Sequence, residues 1–181
     1  EGAEERYLEI DSNGLVVDAS FDTLVDDKVG VCSVMWVNNE IGVIQSIPAL
    51  AERAKSRGVT VHTDAVQAFG KVHIDAASQM FDLLSISGHK IGAPKGIGAL
   101  FIRRGTKLKP LMHGGSQDRG RRPGTENVAS AVGLATAAEL TLAEHDAESK
   151  RLCAMRDRLE AVITERIPDA VIHGRGAPRA P

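Results

Sequence analysis

With 181 residues, 43% of them hydrophobic and 25% charged, the chain has the size and composition of one globular domain able to bury a sizeable core. The 22 Lys and Arg against 24 Asp and Glu give a formal net charge of −2, and aromatic residues make up 3%, so a polyanion-binding groove is excluded and no nucleic-acid partner is expected. Two cysteines, Cys32 and Cys153, exclude a disulfide framework and suit a reducing compartment. No apolar run reaches the ~18 residues of a membrane span and no signal peptide opens the chain, so a cytoplasmic protein without membrane association is expected.

Residues 29–37 form a nearly continuous apolar run, the pattern of a strand buried on both faces. Ser46 reads as the N-cap of a helix with Pro48 in its first turn. Ile47, Leu50, Ala51 and Ala54 recur at helical spacing, and Gly58 stops the helix. A second strand runs from Val59 to His62 and ends at Thr63-Asp64. A third runs from Asp82 to Ser87 and ends at Gly88-His89-Lys90, and a fourth from Gly98 to Arg103. Strands alternating with a helical segment predict an α/β fold with a mostly parallel sheet and flanking helices. Residues 104–127 are Gly- and Arg-rich and aperiodic, a functional loop region. From Val128 to about Arg166 the pattern is helical, with Leu152, Met155, Leu159, Val162 and Ile163 on one apolar face. Pro168 ends that helix, and Ala170-Val171-Ile172 reads as the start of a further strand.

Asp64 sits at the carboxyl end of a predicted strand, where open α/β sheets place ligands; the same residue could equally be a helix N-cap. His62, two residues earlier, could be a metal ligand, but a lone His-x-Asp pair is weak, and no metal site is read here. Lys90 directly follows a strand within Ser-Ile-Ser-Gly-His-Lys-Ile-Gly, and it is either a functional amine or a solvated turn lysine. Ser87, His89 and nearby N–H groups could hold a phosphate, although no Walker A loop is present. A carboxylate and a lysine at one sheet edge suit pyridoxal phosphate: the amine binds the aldehyde, and the carboxylate keeps the pyridine nitrogen protonated.

Four segments in order sharpen this. They are Val-Asn-Asn-Glu-Ile-Gly (37–42), His-Thr-Asp-Ala-Val-Gln (62–67), Ser-Gly-His-Lys-Ile-Gly-Ala-Pro-Lys-Gly-Ile-Gly-Ala-Leu (87–100) and Gly-Gly-Ser-Gln-Asp-Arg-Gly-Arg-Arg-Pro-Gly-Thr-Glu-Asn (114–127). Through them the chain resembles the cysteine desulfurases of the class V aminotransferase group, fold-type I pyridoxal-phosphate enzymes, and the 114–127 segment looks like the nitrogen-fixation subgroup.

The resemblance implies roles residue by residue. Lys90 carries the cofactor as a Schiff base and moves the Cα proton. Asp64 pairs with the pyridine nitrogen, and Gln67 hydrogen-bonds the ring's phenolic oxygen. Ser87 and His89 bind the phosphate, Thr125 reaches the phosphate of the other subunit of a homodimer, and Asn39 contacts cofactor and substrate carboxylate. The implied reaction takes sulfur from L-cysteine, leaving alanine and an enzyme persulfide. The sulfur then passes to an acceptor protein such as an iron–sulfur scaffold. In this scheme residues 1–127 are part of an incomplete large cofactor-binding domain, 128–166 are a linking helix, and 167–181 begin a small domain. The chain is read as an internal fragment, and on its own it is expected to be inactive.

The ring-stacking histidine, the nucleophilic cysteine and the carboxylate-gripping arginine of the family have no counterpart here. Cys32 reads as inert core and Cys153 as structural or surface. Asp118 stands where Glu is common, and Pro123 where a small residue is common. Arg103, Arg104, Lys107 and Lys109 read as solvated, and Arg119, Arg121 and Arg122 as loop anchors. The alternatives are a selenocysteine lyase or another class V aminotransferase, and a non-catalytic fold-type I scaffold. A metal hydrolase built on His62, Asp64 and His89 comes last.

Overall fold

A computed structural model describes residues 2–181. Its centre is a four-stranded sheet in the order β1 (Val31–Met35), β2 (Thr60–Asp64), β3 (Leu83–Ser87) and β4 (Gly98–Ile102). The first three strands are parallel, and β4 returns antiparallel to β3. The sheet is therefore mostly parallel, as the alternating pattern predicts.

The β1–β2 crossover is α2 (Ile47–Lys55). Ile47, Leu50, Ala51 and Ala54 are all buried, which puts the 3.6-residue apolar stripe directly on the sheet. Pro48 occupies the first turn, where its missing N–H costs nothing. Ser46 stands at the cap position, but its side chain makes no capping hydrogen bond. A short helix missed by the periodicity, α1 (Asp18–Leu24), buries Phe21 beside α2. The Arg53 guanidinium lies 4.7 Å from the Phe21 ring centroid and pairs with Asp22 at 2.8 Å, so the two helices are joined by stacking as well as by charge.

The core behind the sheet holds Phe21, Trp36, Ile47, Val61, Ala65 and Phe81, with the Trp36 and Phe81 rings edge-on at 5.9 Å. Burying a side chain such as Phe81 contributes about 1.5–3 kcal/mol. Across the sheet the burial alternates. In β2, Val61 and Thr63 are buried, while His62 and Asp64 on the other face are half-exposed. The prediction that residues 29–37 are buried on both faces is corrected in the same way. Cys32 is 7% exposed, but Val31 is 55% exposed: side chains alternate along β1 and only one of its faces is covered at this end.

The start of β3 is tied down by a buried carboxylate. Asp82 Oδ2 accepts from Val61 N at 2.8 Å, and Oδ1 pairs with Lys55 of α2. Arg103 is not solvated as expected. Its guanidinium donates to the carbonyls of Phe81 (2.8 Å), Ala76 (2.9 Å) and Gln79, and lies 5.7 Å from the Phe81 and Phe101 rings.

A single-turn segment, α3 (Gln117–Gly120), precedes the long helix α4 (Val128–Arg166). Asn127 caps α4 by accepting from Ser130 N at 3.1 Å. The apolar stripe predicted on it stays open: Met155 and Leu159 are exposed, and Leu152 and Ile163 only half-buried. The strand expected at 170–172 does not form. The last residues instead fold back onto 42–44, where Ile44 N donates to Pro178 O, Ala180 N to Gly42 O, and Arg179 makes a bidentate pair with Glu160 at 2.6 and 2.8 Å. No helix among the described residues is long and apolar enough to cross a membrane.

Candidate active site

Parallel strands end on the same side, so the register of the sheet decides which residues meet. Met35 pairs with Asp64 and Asp64 with Ser85, so β1, β2 and β3 release their chains at neighbouring points of one edge. Asn38-Asn39 follows β1, Asp64 to Gln67 closes β2, and Ser87 to Lys90 closes β3. Six of the seven residues expected to form the site therefore share the carboxyl end of the sheet, the place where open α/β sheets bind ligands. The seventh, Thr125, is exposed in the loop before α4, and no hydrogen bond or ion pair among the described residues links it to the others.

Two adjacent asparagines divide their work. Asn38 Oδ1 accepts from Glu40 N at 2.9 Å and from Ile41 N at 3.0 Å, closing the turn that returns to Val43. Asn39 is exposed and makes no such bond. The turn engages the Asn38 side-chain oxygen and leaves that of Asn39, the residue the resemblance singles out, without a partner among the described residues.

Asp64 is both a turn-former and a free carboxylate. Its Oδ1 accepts from Val66 N at 2.8 Å, starting the run of turns over 65–72, while Oδ2 has no partner among the described residues. The alternative of an α-helix N-cap is corrected, since a series of turns follows rather than an α-helix.

Gly88 is buried between Ser87 and His89. A Cβ there would stand 2.7 Å from Ile97 Cγ2 and 3.0 Å from Ala93 Cβ, so this glycine serves close packing inside the loop. The chain then enters a 3₁₀ turn (Gly88–Ile91) that leaves His89 and Lys90 exposed. Ser87 Oγ and His89 Nδ1 are hydrogen-bonded at 2.8 Å. Among the described residues Lys90 has no ion-pair or hydrogen-bond partner, so its exposed amine is unpaired.

His62 is not available as a metal ligand. Its Nδ1 faces Ser33 Oγ at 2.7 Å and its Nε2 faces Ser85 Oγ at 3.3 Å, a polar chain crossing three strands one layer below Asp64. Burial holds the His62 pKa below the ordinary imidazole value, with the Asp64 charge pulling weakly the other way. Among the described residues no three His, Cys, Asp or Glu side chains gather as metal ligands do.

Neither thiol lies in the turns that follow β1, β2 and β3. Cys32 is buried in β1, and burial pushes its pKa up, which suppresses thiolate. Cys153 is half-buried on α4. In the Gly-rich loop Arg122 Nε pairs with Asp118 Oδ2 at 2.7 Å, and Asp118 and Arg119 both hold left-handed φ of 49° and 58°. The expected loop-anchoring role thus falls to Arg122.

Lys71 escaped the sequence reading. It is half-buried, and its Nζ donates to Gln67 Oε1 at 3.0 Å. The available signal was its i, i+4 spacing from Gln67 in a segment with no helical pattern.

The two large clefts lie elsewhere. One, of about 610 Å³, runs between α4 and the β3–β4 face and is lined by Phe69, Ile74, Phe81, Phe101, Leu142 and His145. The other, of about 790 Å³, follows the open edge of β1. Neither is lined by Asp64, Gln67, Ser87, His89 or Lys90.

The aminotransferase class-V family model matches residues 1–176. The chain belongs to that family. It is 45% identical over 181 residues to the cysteine desulfurase NifS of Azotobacter vinelandii, covering 100% of this chain and 45% of that protein. It superposes with a TM-score of 0.82 on the crystal structure of DndA from Streptomyces lividans, at 38% identity over 90% of this chain and 47% of that one. A second solved structure, SspA in complex with cysteine, gives 0.73 at 38% identity, over 76% and 40%. The chain thus spans about 45% of the length of the curated relatives it matches.

Pyridoxal 5′-phosphate is the cofactor of this class-V group. The donor set at the sheet edge fits it: an unpaired amine at Lys90, a carboxylate oxygen at Asp64 without a partner, an amide at Gln67, and a hydroxyl–imidazole pair at Ser87 and His89.

Proposed function

We propose that this chain supplies the cofactor-holding part of a cysteine desulfurase acting on L-cysteine. The observation that carries the reading is the convergence of Asn39, Asp64, Gln67, Ser87, His89 and Lys90 at the carboxyl ends of three adjacent parallel strands. The relatives named cysteine desulfurase and the SspA structure with cysteine support the substrate.

Each side chain has a task set by its chemistry. Lys90 would hold the cofactor aldehyde through its amine and would be the base that takes up the proton from the substrate Cα. Asp64 keeps the pyridine nitrogen protonated with its free oxygen, while its other oxygen fixes the turn to Val66. The cofactor, when bound, is the electron sink for the substrate's Cα. Gln67 donates to the ring's phenolic oxygen. Ser87 and His89 hold the phosphate, and Asn39 orients the substrate carboxylate. The persulfide-forming thiol is assigned to neither Cys32 nor Cys153, in keeping with the burial of the first and the distance of the second from the strand ends along the chain.

The exposure of His89, Lys90 and Thr125 supports a homodimer in which Thr125 of the neighbouring subunit completes the phosphate site. Residues 1–127 then belong to the large domain, 128–166 link it to the small domain, and 167–181 begin that domain. The sulfur passes to an acceptor protein of iron–sulfur assembly in the cytoplasm.

The test is borohydride reduction of the full-length protein after loading with pyridoxal phosphate. A visible absorption band is expected, lost on reduction, with the label fixed on Lys90 by mass spectrometry. Label on Lys71 or Lys95 would overturn the assignment.

A further inference from the structure

Half-buried Lys71 faces an amide, Gln67 Oε1 at 3.0 Å, with no carboxylate paired to it among the described residues. The turns over 65–72 are closed by Phe69 N to Ala65 O, Lys71 N to Ala68 O and Val72 N to Ala68 O, which place Gln67 and Lys71 on one side of a single coil. Gly70, with φ of +80°, lies against α4, where a Cβ would meet Thr141 Cγ2 at 2.3 Å. The segment therefore approaches α4 closely at Gly70, and Lys71 beside it is half-buried. None of the ion pairs among the described residues includes Lys71. Burial, and behind it the charge of Lys90, holds its pKa below the ordinary lysine value; the second cause puts Lys71 in the neighbourhood of the reactive amine.

An ammonium has three donors and no acceptor. The atom of Gln67 that meets Lys71 at 3.0 Å must therefore be its carbonyl oxygen, and its amide nitrogen must point the other way. A free glutamine could offer either pole to the site. With Lys71 in place it offers only N–H.

We propose that Lys71 is a positioning residue that holds Gln67 with its donor pole toward the acceptor oxygen of the cofactor ring. The proposal rests on the pyridoxal-phosphate reading above. Lys71 touches neither cofactor nor substrate; it acts through Gln67 alone.

The test uses the full-length protein, read by the visible absorption band after loading and by the dissociation constant for pyridoxal phosphate. Loss of the oriented hydrogen bond in Lys71→Met should shift the band and weaken binding about three- to tenfold. Lys71→Arg, whose guanidinium also only donates, should retain both properties. In a Gln67→Leu background, Lys71→Met should change the dissociation constant less than twofold further, because the two residues act as one unit. An unchanged band and affinity in Lys71→Met would overturn the proposal, as would a full additional effect on Gln67→Leu. If Lys71→Met does not fold, Lys71→Arg decides, and failure to behave as wild type overturns the proposal. A wild-type protein that takes up no pyridoxal phosphate would overturn the cofactor reading itself, and the proposal with it; only that result appears before any substitution is made.

Discussion

Ser87 Oγ and His89 Nδ1 lie 2.8 Å apart across the buried Gly88, so the hydroxyl and the imidazole at the end of β3 orient each other. The pair is short-range in sequence but depends on a long-range fact. Gly88 between them packs so closely on Ala93 and Ile97 that a Cβ would not fit without a shift.

Ser87→Ala should weaken phosphate anchoring in two ways, by removing one donor and by freeing the His89 ring. About 1.5–3 kcal/mol is at stake for a hydrogen bond to a charged group, so the dissociation constant for pyridoxal phosphate should rise about tenfold or more. Pyridoxal without phosphate should bind equally well to variant and wild type in the same titration. Equal losses for both ligands would show that the pair does not serve the phosphate.

Asp64→Asn should preserve the fold and the bound cofactor while sharply reducing turnover. Asn can still accept from Val66 N as Asp64 Oδ1 does, so the turn survives. It cannot hold a proton on a ring nitrogen by charge. A loss in kcat on the order of a hundredfold or more is expected, with cofactor content unchanged in the absorption spectrum. Near wild-type kcat would remove Asp64 from this role.

Stability should fall as the solution is acidified through the imidazole range, and His62 should be a cause. Burial depresses its folded-state pKa below the unfolded value of about 6.5. Below that value the unfolded chain binds a proton that the folded chain resists. The contribution is therefore complete above pH ~6.5 and is lost as pH falls toward and through the folded-state pKa. Denaturant midpoints measured from pH 8 to pH 5 should decline, and His62→Gln should flatten the decline. An identical slope in the variant would count against His62.

Asp82→Ala should destabilise the protein by about 1–3 kcal/mol, since it leaves both the buried Val61 N–H and the Lys55 ammonium without their partner. Asp82→Asn, which can still accept from Val61 N, should cost less. Urea unfolding of the three proteins ranks them, and equal midpoints for Ala and Asn would mean the backbone bond contributes nothing.

The positions of the strands, the α2 stripe and the strand-end placement of Asp64 and Lys90 could be read from residue order, because alternation and 3.6-residue periodicity are local signals of which faces are apolar. The four motif segments likewise carried the family resemblance that the class-V match bears out. Local pattern is silent on which distant group answers a polar side chain. Only the tertiary structure showed Asn38 spent on its own turn beside the Asn39 that the resemblance singles out, and turned Arg103 from a solvated cation into the clasp of the 76–81 loop. It alone turned Gln67 by setting Lys71 against its oxygen. It also replaced an expected strand at 170–172 with a chain end folded back onto 42–44. In each case the deciding partner is fixed by packing in three dimensions: hydrogen bonds and ion pairs depend on distances of about 3 Å, and those distances are set by how the sheet and helices pack.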